Sequence, residues 1–331
     1  MRPLIFLMFV MLSANAAATP APAQSGDACV AIGKWVAPAT RKTLGHKDFI
    51  AQLSKRPVVL LGEIHTNPEH HRWQLHVTAA LHGLNPNMVL AFEAFPRRYQ
   101  PVLDKWVNGE LSEDAFLKEA DWNETWRFDS GFYMPLFNFA RMHRIPMAAM
   151  NVSRKLIGRI GKDGWDAIPE DAREGVSDPA PATDSYLKFL STVFGQHGPA
   201  AKHKKGHEGK AKDEIIKAPP IPELRKNPMF MRFVQSQTTW DRAMAQTIAE
   251  ARARKGKPLV VGIVGQGHIQ YGFGIPHQLA DLGIKDAAFL LPLRSVGVQG
   301  DSRSYAKLTV LHSGPLDYKQ ALPLATRLAT G

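Results

Sequence analysis

Short apolar runs recur along the chain and predict the strands of one buried sheet. The first, Pro57–Leu61, is continuously apolar and ends at Gly62, which is typical of a central strand covered on both faces. Comparable runs predict further strands at residues 88–92, 145–150, 259–264, 287–291 and 307–311.

Segments with helical spacing lie between these strands. After the first strand, Thr66 or Asn67 can cap a helix, Pro68 suits its first turn, and an apolar stripe continues to Gly83. Other helices are expected in the aromatic-rich stretch 101–143, after Ser153, across 183–194 and across 228–255. This alternation predicts an α/β fold in which helices flank a central, mainly parallel sheet, with an added helical subdomain.

The composition allows a sizeable folded core, because 44% of the 331 residues are hydrophobic. We assign residues 31–331 to one α/β domain. Within it, residues 196–222 are rich in Gly, Lys, His and Pro and predict a flexible basic insertion. The histidines at 197, 203 and 207 either collect metal or haem or are incidental residues of a solvated loop.

The N-terminus has the pattern of a secretory signal peptide over residues 1–18. Arg2 precedes an apolar run, and small residues offer a cleavage site near Ala16–Ala18. Residues 19–30 then form a mature N-terminal tail. We therefore expect an exported protein, either periplasmic or associated with the outer membrane. A lipid anchor is not expected, because the single cysteine, Cys29, lacks the aliphatic residue that a bacterial lipobox places before it.

The formal charge of +11, from 41 Lys and Arg against 30 Asp and Glu, favours anionic partners. Export argues against nucleic acid as that partner, which leaves acidic small molecules and membrane surfaces. Part of the excess is local, because the stretch 202–217 is rich in lysine.

Polar side chains follow the predicted strands, where parallel sheets bind their ligands. Glu63 and His65 follow the first strand, Glu93 the second, and His268 the strand at 259–264. Such a set can hold Mn, Co or Zn and activate a bound water, or it can act as acid and base without metal. Any one of these residues alone could equally be an ordinary hydrogen-bonded side chain at a strand end.

Two further groups have both a functional and a structural interpretation. His70 and His71 could be metal or porphyrin ligands near the same edge, or solvated residues of a first helical turn. The aromatic stretch from Trp122 to Phe137 could line a flat ligand or belong to the core.

An ordered set of motifs resembles the ChaN-like haem-binding family of the Tiki superfamily, which also contains TraB and the erythromycin esterases. The motifs are Leu60–His65 with His70-His71-Arg72-x-Gln74, Phe92-Glu93-Ala94-Phe95, Trp122-x-x-x-Trp126, Ala148–Val152 with Arg154, Gln237-x-x-Trp240-Asp241, and Gly265–His268 with Gly274-Ile275-Pro276.

The resemblance implies haem as the cofactor and a role in haem or iron acquisition. It also implies a homodimer around stacked haems, with a tyrosine on the iron and a partner histidine near the propionates, and an outer-membrane uptake receptor as a further partner. Tyr271 and His277 are the candidates for these two roles, and Tyr133 and His71 are the reserves. His268 and Arg154 complete the expected haem-binding set.

The same resemblance implies an alternative. Other branches of the superfamily use paired Glu and Gly-x-x-His residues for hydrolysis, with a metal in the Tiki branch. Glu63, His65, Glu93 and His268 match those positions, so a metal-dependent periplasmic hydrolase of a peptide, ester or amide stays open at this point.

Overall fold

The computed structural model describes residues 33–37, 42–197, 219–294 and 305–310. The predicted signal peptide, the N-terminal tail with Cys29, and residues 198–218 of the basic insertion lie outside these ranges. Within them, no helix is both long and apolar enough to cross a bilayer.

The described elements follow one another along the chain in this order: β1 (Trp35–Ala37), β2 (Lys42–Leu44), α1 (His46–Leu53), β3 (Val58–Glu63), α2 (Pro68–Leu84), β4 (Met88–Pro96), α3 (Gln100–Asn108), α4 (Glu113–Glu119), α5 (Trp122–Thr125), α6 (Met134–Met142), β5 (Met147–Asn151), α7 (Arg154–Asp163), α8 (Asp184–His197), α9 (Ile221–Lys226), α10 (Pro228–Ala253), β6 (Leu259–Gly265), α11 (Ile275–Asp281), β7 (Ala287–Arg294) and β8 (Tyr305–Val310).

The main sheet has the strand order β5-β4-β6-β3-β7-β8. Its first five strands are parallel and β8 pairs antiparallel with β7 at the edge. The predicted α/β fold with a mainly parallel sheet is therefore confirmed. A separate antiparallel pair, β1 with β2, was not predicted, because three-residue strands carry too short a pattern.

Side chains on the two faces of the sheet enter two separate cores, because successive residues of a strand point to opposite sides. Val59 and Leu61 of β3 pack toward α1, α2 and the helices between β4 and β5. Val58 and Leu60 pack toward α10 and α11. Burial of each such side chain contributes about 1.5–3 kcal/mol to folding.

Two strands are longer than the apolar runs suggested. β3 continues through Gly62 to Glu63. The sequence prediction that this strand ends at Gly62 is therefore wrong, and Glu63 lies inside the strand and not after it. β4 continues to Pro96, and its register with β5 shifts between Phe92 and Pro96. Such irregularities re-aim side chains, and Glu93 lies in this one.

The strand order determines which strand ends are neighbours. β6 lies between β3 and β4, and β5 lies beside β4. The polar residues that follow these four strands therefore share one edge of the sheet, although they are up to about 200 positions apart in sequence.

Candidate functional site

Four polar residues meet at the carboxyl edge of the sheet and are called the Glu/His cluster here: Glu63, His65, Glu93 and His268. Each of the two glutamates lies within hydrogen-bonding or ion-pair distance of a histidine of the cluster. The structure therefore confirms the sequence prediction that these four residues lie close together.

Glu63 is the buried end of β3, only 2% exposed. Its Oε1 accepts a hydrogen bond of 2.5 Å from the Tyr133 hydroxyl and lies 2.8 Å from Nδ1 of His65. Its Oε2 lies 3.4 Å from Nδ1 of His71. Burial and the neighbouring Glu63 raise the pKa of Tyr133 far above its ordinary value, so this phenol stays a hydrogen-bond donor.

His70 and His71 are both buried in the first turn of α2, so the interpretation as solvated histidines is wrong. His71 donates from Nε2 to the carbonyl oxygen of His65 at 3.0 Å. The Ile64 N–H donates to Nδ1 of His70 at 2.9 Å, and burial lowers the pKa of His70 to about 4. Both imidazoles therefore hold the loop after β3 in place.

Glu93 is held as a carboxylate inside the protein. The Gly265 N–H donates to its Oε2 at 2.6 Å, and Nε2 of His268 lies 3.4 Å from its Oε1. Burial alone would raise the pKa of Glu93, but His268 and these hydrogen bonds lower it to about 2. The Asn151 amide donates to the Glu93 carbonyl at 2.9 Å and fixes the backbone there.

His268 lies between two carboxylates. Its Nδ1 is 2.7 Å from Oδ1 of Asp241, whose Oδ2 accepts a 2.7 Å hydrogen bond from Tyr186. Burial lowers the pKa of His268, but Glu93 and Asp241 outweigh it and raise that pKa to about 10. The two neighbouring carboxylates therefore favour the protonated imidazolium form of His268.

His65 is the accessible member of the Glu/His cluster, with 26% of its side chain exposed. Burial lowers its pKa, but the hydrogen bond to Glu63 and the charge of Glu93 raise it above its usual value. Its ring meets Trp126 edge-on at 4.7 Å. A Cβ at Gly265 would lie 2.9 Å from His65 Cε1, so the glycine makes room for this imidazole.

The cluster is arranged for internal hydrogen bonds and not for a metal ion. Among the described residues, no three His, Cys, Asp or Glu side chains could hold a metal ion together. Glu63 Oε1 and both nitrogens of His268 already face partners within 3.4 Å, whereas Glu63 Oε2 and His71 Nδ1 make no hydrogen bond among the described residues. The expected Mn, Co or Zn site therefore gains no support from this geometry.

The two first candidates for haem ligation, Tyr271 and His277, follow the Gly265–His268 motif in the chain. Tyr271 is half-buried and contacts Phe189 and Phe273, each with ring centroids 5.7 Å away. Its backbone has a φ of 60°, which is rare for a residue with a side chain. His277 lies in α11, where its Nε2 is 2.9 Å from the carbonyl oxygen of Pro181.

Arg154 lies elsewhere, at the start of α7. Its Nε donates to the Thr125 carbonyl at 3.1 Å, and the residue lines a cleft of about 390 Å³ beyond the ends of β4 and β5. The aromatic stretch before it is mostly core, since Trp122, Trp126 and Phe137 are buried.

Asp241 and Tyr186 are the site residues that sequence reasoning missed. Both are almost fully buried. Asp241 contacts Nδ1 of His268, and Tyr186 holds Asp241 in place through a hydrogen bond. Asp241 carried a usable signal, because an acidic residue there interrupts the buried face of α10. Tyr186 had none, because a tyrosine on an apolar helix face is ordinary core composition.

The fold and this site define a class: an α/β protein with a buried, internally bonded Glu/His cluster at the carboxyl edge of its sheet. The sequence profile described as haem-binding uptake, Tiki superfamily, ChaN matches residues 49–279. The chain therefore belongs to this family, and the resemblance seen in the motifs is confirmed. No curated protein sequence matches the chain significantly.

Solved structures resemble this chain at low sequence identity. One described as cofacial haem binding to ChaN of Campylobacter jejuni is 19% identical, covers 84% of this chain and 96% of its own, and has a TM-score of 0.56. RRSP, a MARTX toxin effector domain from Vibrio vulnificus, is 15% identical over 80% of this chain and 37% of its own, with a TM-score of 0.41. An erythromycin esterase in its open conformation is 10% identical, covers 80% of this chain and 78% of its own, and has a TM-score of 0.42.

Proposed function

We propose that this protein binds haem and serves haem or iron acquisition outside the cytoplasm. Family membership supports the proposal, and the placement of Tyr271 is the observation in the structure that carries it. A metal-dependent hydrolase is the weaker candidate, because the Glu/His cluster offers no set of metal ligands within the described residues.

The surroundings of Tyr271 fit a haem group. Its left-handed backbone costs about 1–2 kcal/mol, and such strain is kept mainly where function needs it. Phe189 packs against the ring of Tyr271. Further half-buried apolar residues pack on the same core cluster, and such a surface suits a flat macrocycle: they are Phe194, Ile221, Met231 and Phe233. Bound haem would supply the iron that the protein carries, and a tyrosine oxygen is a known iron ligand in haem proteins.

A spectroscopic titration tests this assignment. Haemin added to purified protein is expected to give a saturable Soret band, and Tyr271→Phe is expected to shift that band and to weaken binding about tenfold or more, because the oxygen ligand is lost. Tyr99→Phe is the matched control, since Tyr99 is also half-buried but contacts Arg98 and Thr125. Identical spectra and affinities for both variants would refute the role of Tyr271.

The proposal includes a homodimer around haem, to which His277 of each copy contributes. His277 is half-buried at the start of α11, close in sequence to Tyr271. Light scattering with chromatography is expected to show a doubling of mass when haemin is added, and His277→Ala is expected to weaken it. His143→Ala, a change to an exposed histidine, is the control. A monomer at saturating haemin would contradict this part.

Export and a receptor partner complete the proposal. The signal-peptide pattern at residues 1–18 supports cleavage near Ala16–Ala18, and a haem carrier outside the cytoplasm would exchange its cargo with an outer-membrane uptake receptor. Mass spectrometry of the protein from a periplasmic fraction should find a mature chain that begins near residue 19. An intact N-terminus in the cytoplasmic fraction would contradict export.

A further inference from the structure

The cleft beyond the ends of β4 and β5 is a second candidate site, which lies apart from the aromatic surroundings of Tyr271. Its volume of about 390 Å³ is in the range of small-molecule pockets. Its apolar walls include the indoles of Trp126 and Trp240. These same rings contact the Glu/His cluster, since Trp126 meets His65 at 4.7 Å and Trp240 meets His268 at 5.9 Å, both edge-on.

Three cations line this cleft: Arg98, Arg154 and Lys155. None of them forms an ion pair with a carboxylate among the described residues. Among the described residues Arg154 is anchored through Nε alone, to the Thr125 carbonyl at 3.1 Å, so its two terminal nitrogens keep their fork for another acceptor. Arg98 is oriented over the ring of Tyr99, with its guanidinium carbon 4.6 Å from the centroid.

The cleft lining also holds three acidic residues, Asp121, Glu124 and Glu174, so its formal charges balance. Glu174 accepts hydrogen bonds from the N–H and the hydroxyl of Ser153. Glu124 is paired with Arg127, and 73% of its side chain is exposed to solvent. Among the described residues, none of these three carboxylates forms an ion pair with a cation of the lining. The three cations are therefore open to an anionic ligand.

The position of Arg154 and Lys155 adds a second source of positive potential at this end of the cleft. They are the first two residues of α7, whose first turn contains no acidic residue. A helix N-terminus already carries a partial positive charge and is stabilised by acidic side chains, so two cations there lower stability. Their presence where they weaken the helix is explained if they serve a ligand.

We propose that this cleft binds a small aromatic or heteroaromatic oxyanion, either a carboxylate or a phosphate monoester. The oxyanion would be held by Arg154, Lys155 and Arg98, and the ring would pack between Trp126 and Trp240. This site is independent of haem binding at Tyr271, and its ligand would lie against the exposed edge of His65.

Isothermal titration calorimetry at low ionic strength tests the proposal on the full chain with four probes: benzoate, phenyl phosphate, benzamide and inorganic phosphate. Saturable binding of benzoate or phenyl phosphate is expected, with affinity at least about tenfold above that of neutral benzamide and above that of phosphate without a ring. The stronger of the two organic probes identifies the carboxylate or the phosphate source. Equal affinity for benzamide, or no binding of either organic anion, would overturn the proposal.

The double variant R154Q/K155Q adds a control that separates folding from binding. Removal of two cations from a helix N-terminus should leave the melting temperature unchanged or raise it, while the affinity for the organic anion falls about tenfold or more. Lys162→Gln, an exposed change in the last turn of the same helix, should leave binding unchanged. The single variant K155Q should still give the wild-type Soret band with haemin; undiminished anion binding in the double variant, or a loss of both ligands in K155Q, would refute an independent anion site.

Discussion

Glu63 is the last residue of β3 and His268 follows the neighbouring strand β6, but their partners give them opposite roles. Glu63 is a buried acceptor that collects the Tyr133 hydroxyl and the imidazole of His65. His268 is a buried cation between Asp241 and Glu93. Because each charge is satisfied inside the protein, these residues stabilise the edge of the sheet whatever ligand the protein carries.

Loss of a single hydroxyl tests this account of Glu63. Tyr133→Phe removes the 2.5 Å hydrogen bond and leaves Oε1 of a buried carboxylate with one partner fewer. We expect the free energy of unfolding, measured in urea, to fall by about 1–3 kcal/mol. The half-buried Tyr99→Phe should change it by less than about 0.5 kcal/mol. Equal small effects would show that the Tyr133 contact carries no net stability.

The shifted pKa values predict how stability depends on pH. His268 has its pKa raised to about 10, so the stability it contributes is complete below pH 6.5 and is lost as the pH rises toward 10. Glu93, with a pKa of about 2, loses its contribution as the pH falls from 4.5 to 2. His70, with a pKa of about 4, loses its own between pH 6.5 and 4. The three signs together place the maximum near pH 6.5.

Melting temperatures across pH 3–10 check this profile. His268→Gln removes the group responsible for the alkaline loss, so the decline above pH 6.5 should flatten while the acid side keeps its slope. An unchanged alkaline slope in this variant would show that His268 is not held as a cation in the folded protein.

At the scale of elements, the sequence predicted the helices and strands well where the apolar runs were long. β3, β4 and β6 are buried along their full length, so their composition is nearly all apolar. Their ends were less accurate, because Glu63 is a polar residue that still pairs with Gly265 in the sheet, and Glu93 is a polar residue in the irregular part of β4. The short pair of β1 and β2 carried no usable pattern.

Gly62 in β3 and Gly267 after β6 differ in the space that their surroundings leave for a side chain. A Cβ at Gly62 would lie 2.5 Å from Leu291 Cδ2 and 3.3 Å from the Leu290 carbonyl oxygen, whereas a Cβ at Gly267 meets nothing within 4 Å. Gly62→Ala should therefore lower the free energy of unfolding by about 1–3 kcal/mol, and Gly267→Ala by less than about 0.5 kcal/mol. Urea denaturation compares the two, and a larger cost at Gly267 would contradict the close packing of β3.

At the scale of the whole molecule, the sheet explains both what could be predicted and what could not. Convergence of Glu63, His65, Glu93 and His268 followed from the rule that parallel strands bind ligands at their carboxyl ends. The partners Asp241 and Tyr186 come from α10 and α8, and no local pattern reveals which helix packs over a strand end. The cleft beside α7 was likewise invisible, because its walls come from segments far apart in sequence.

The molecule thus has three distinct regions around one sheet edge. The Glu/His cluster is internally bonded, the surface at Tyr271 is apolar and aromatic, and the cleft at Arg154 is lined by three cations. The cluster fixes the loops that carry the other two regions, since His268 precedes Tyr271 by three residues and Asn151 precedes Arg154 by three. We infer that binding belongs to the surface and the cleft, and stability to the cluster.

The haem and metal content of the protein, purified from iron-replete cells supplied with haem, tests most directly whether the protein carries haem. We expect a coloured protein with a Soret band, haem in stoichiometric amount by extraction, and iron as the metal that accompanies it, with the colour reduced in Tyr271→Phe. A colourless, folded protein, or one that contains stoichiometric manganese, cobalt or zinc and no haem, would contradict haem binding.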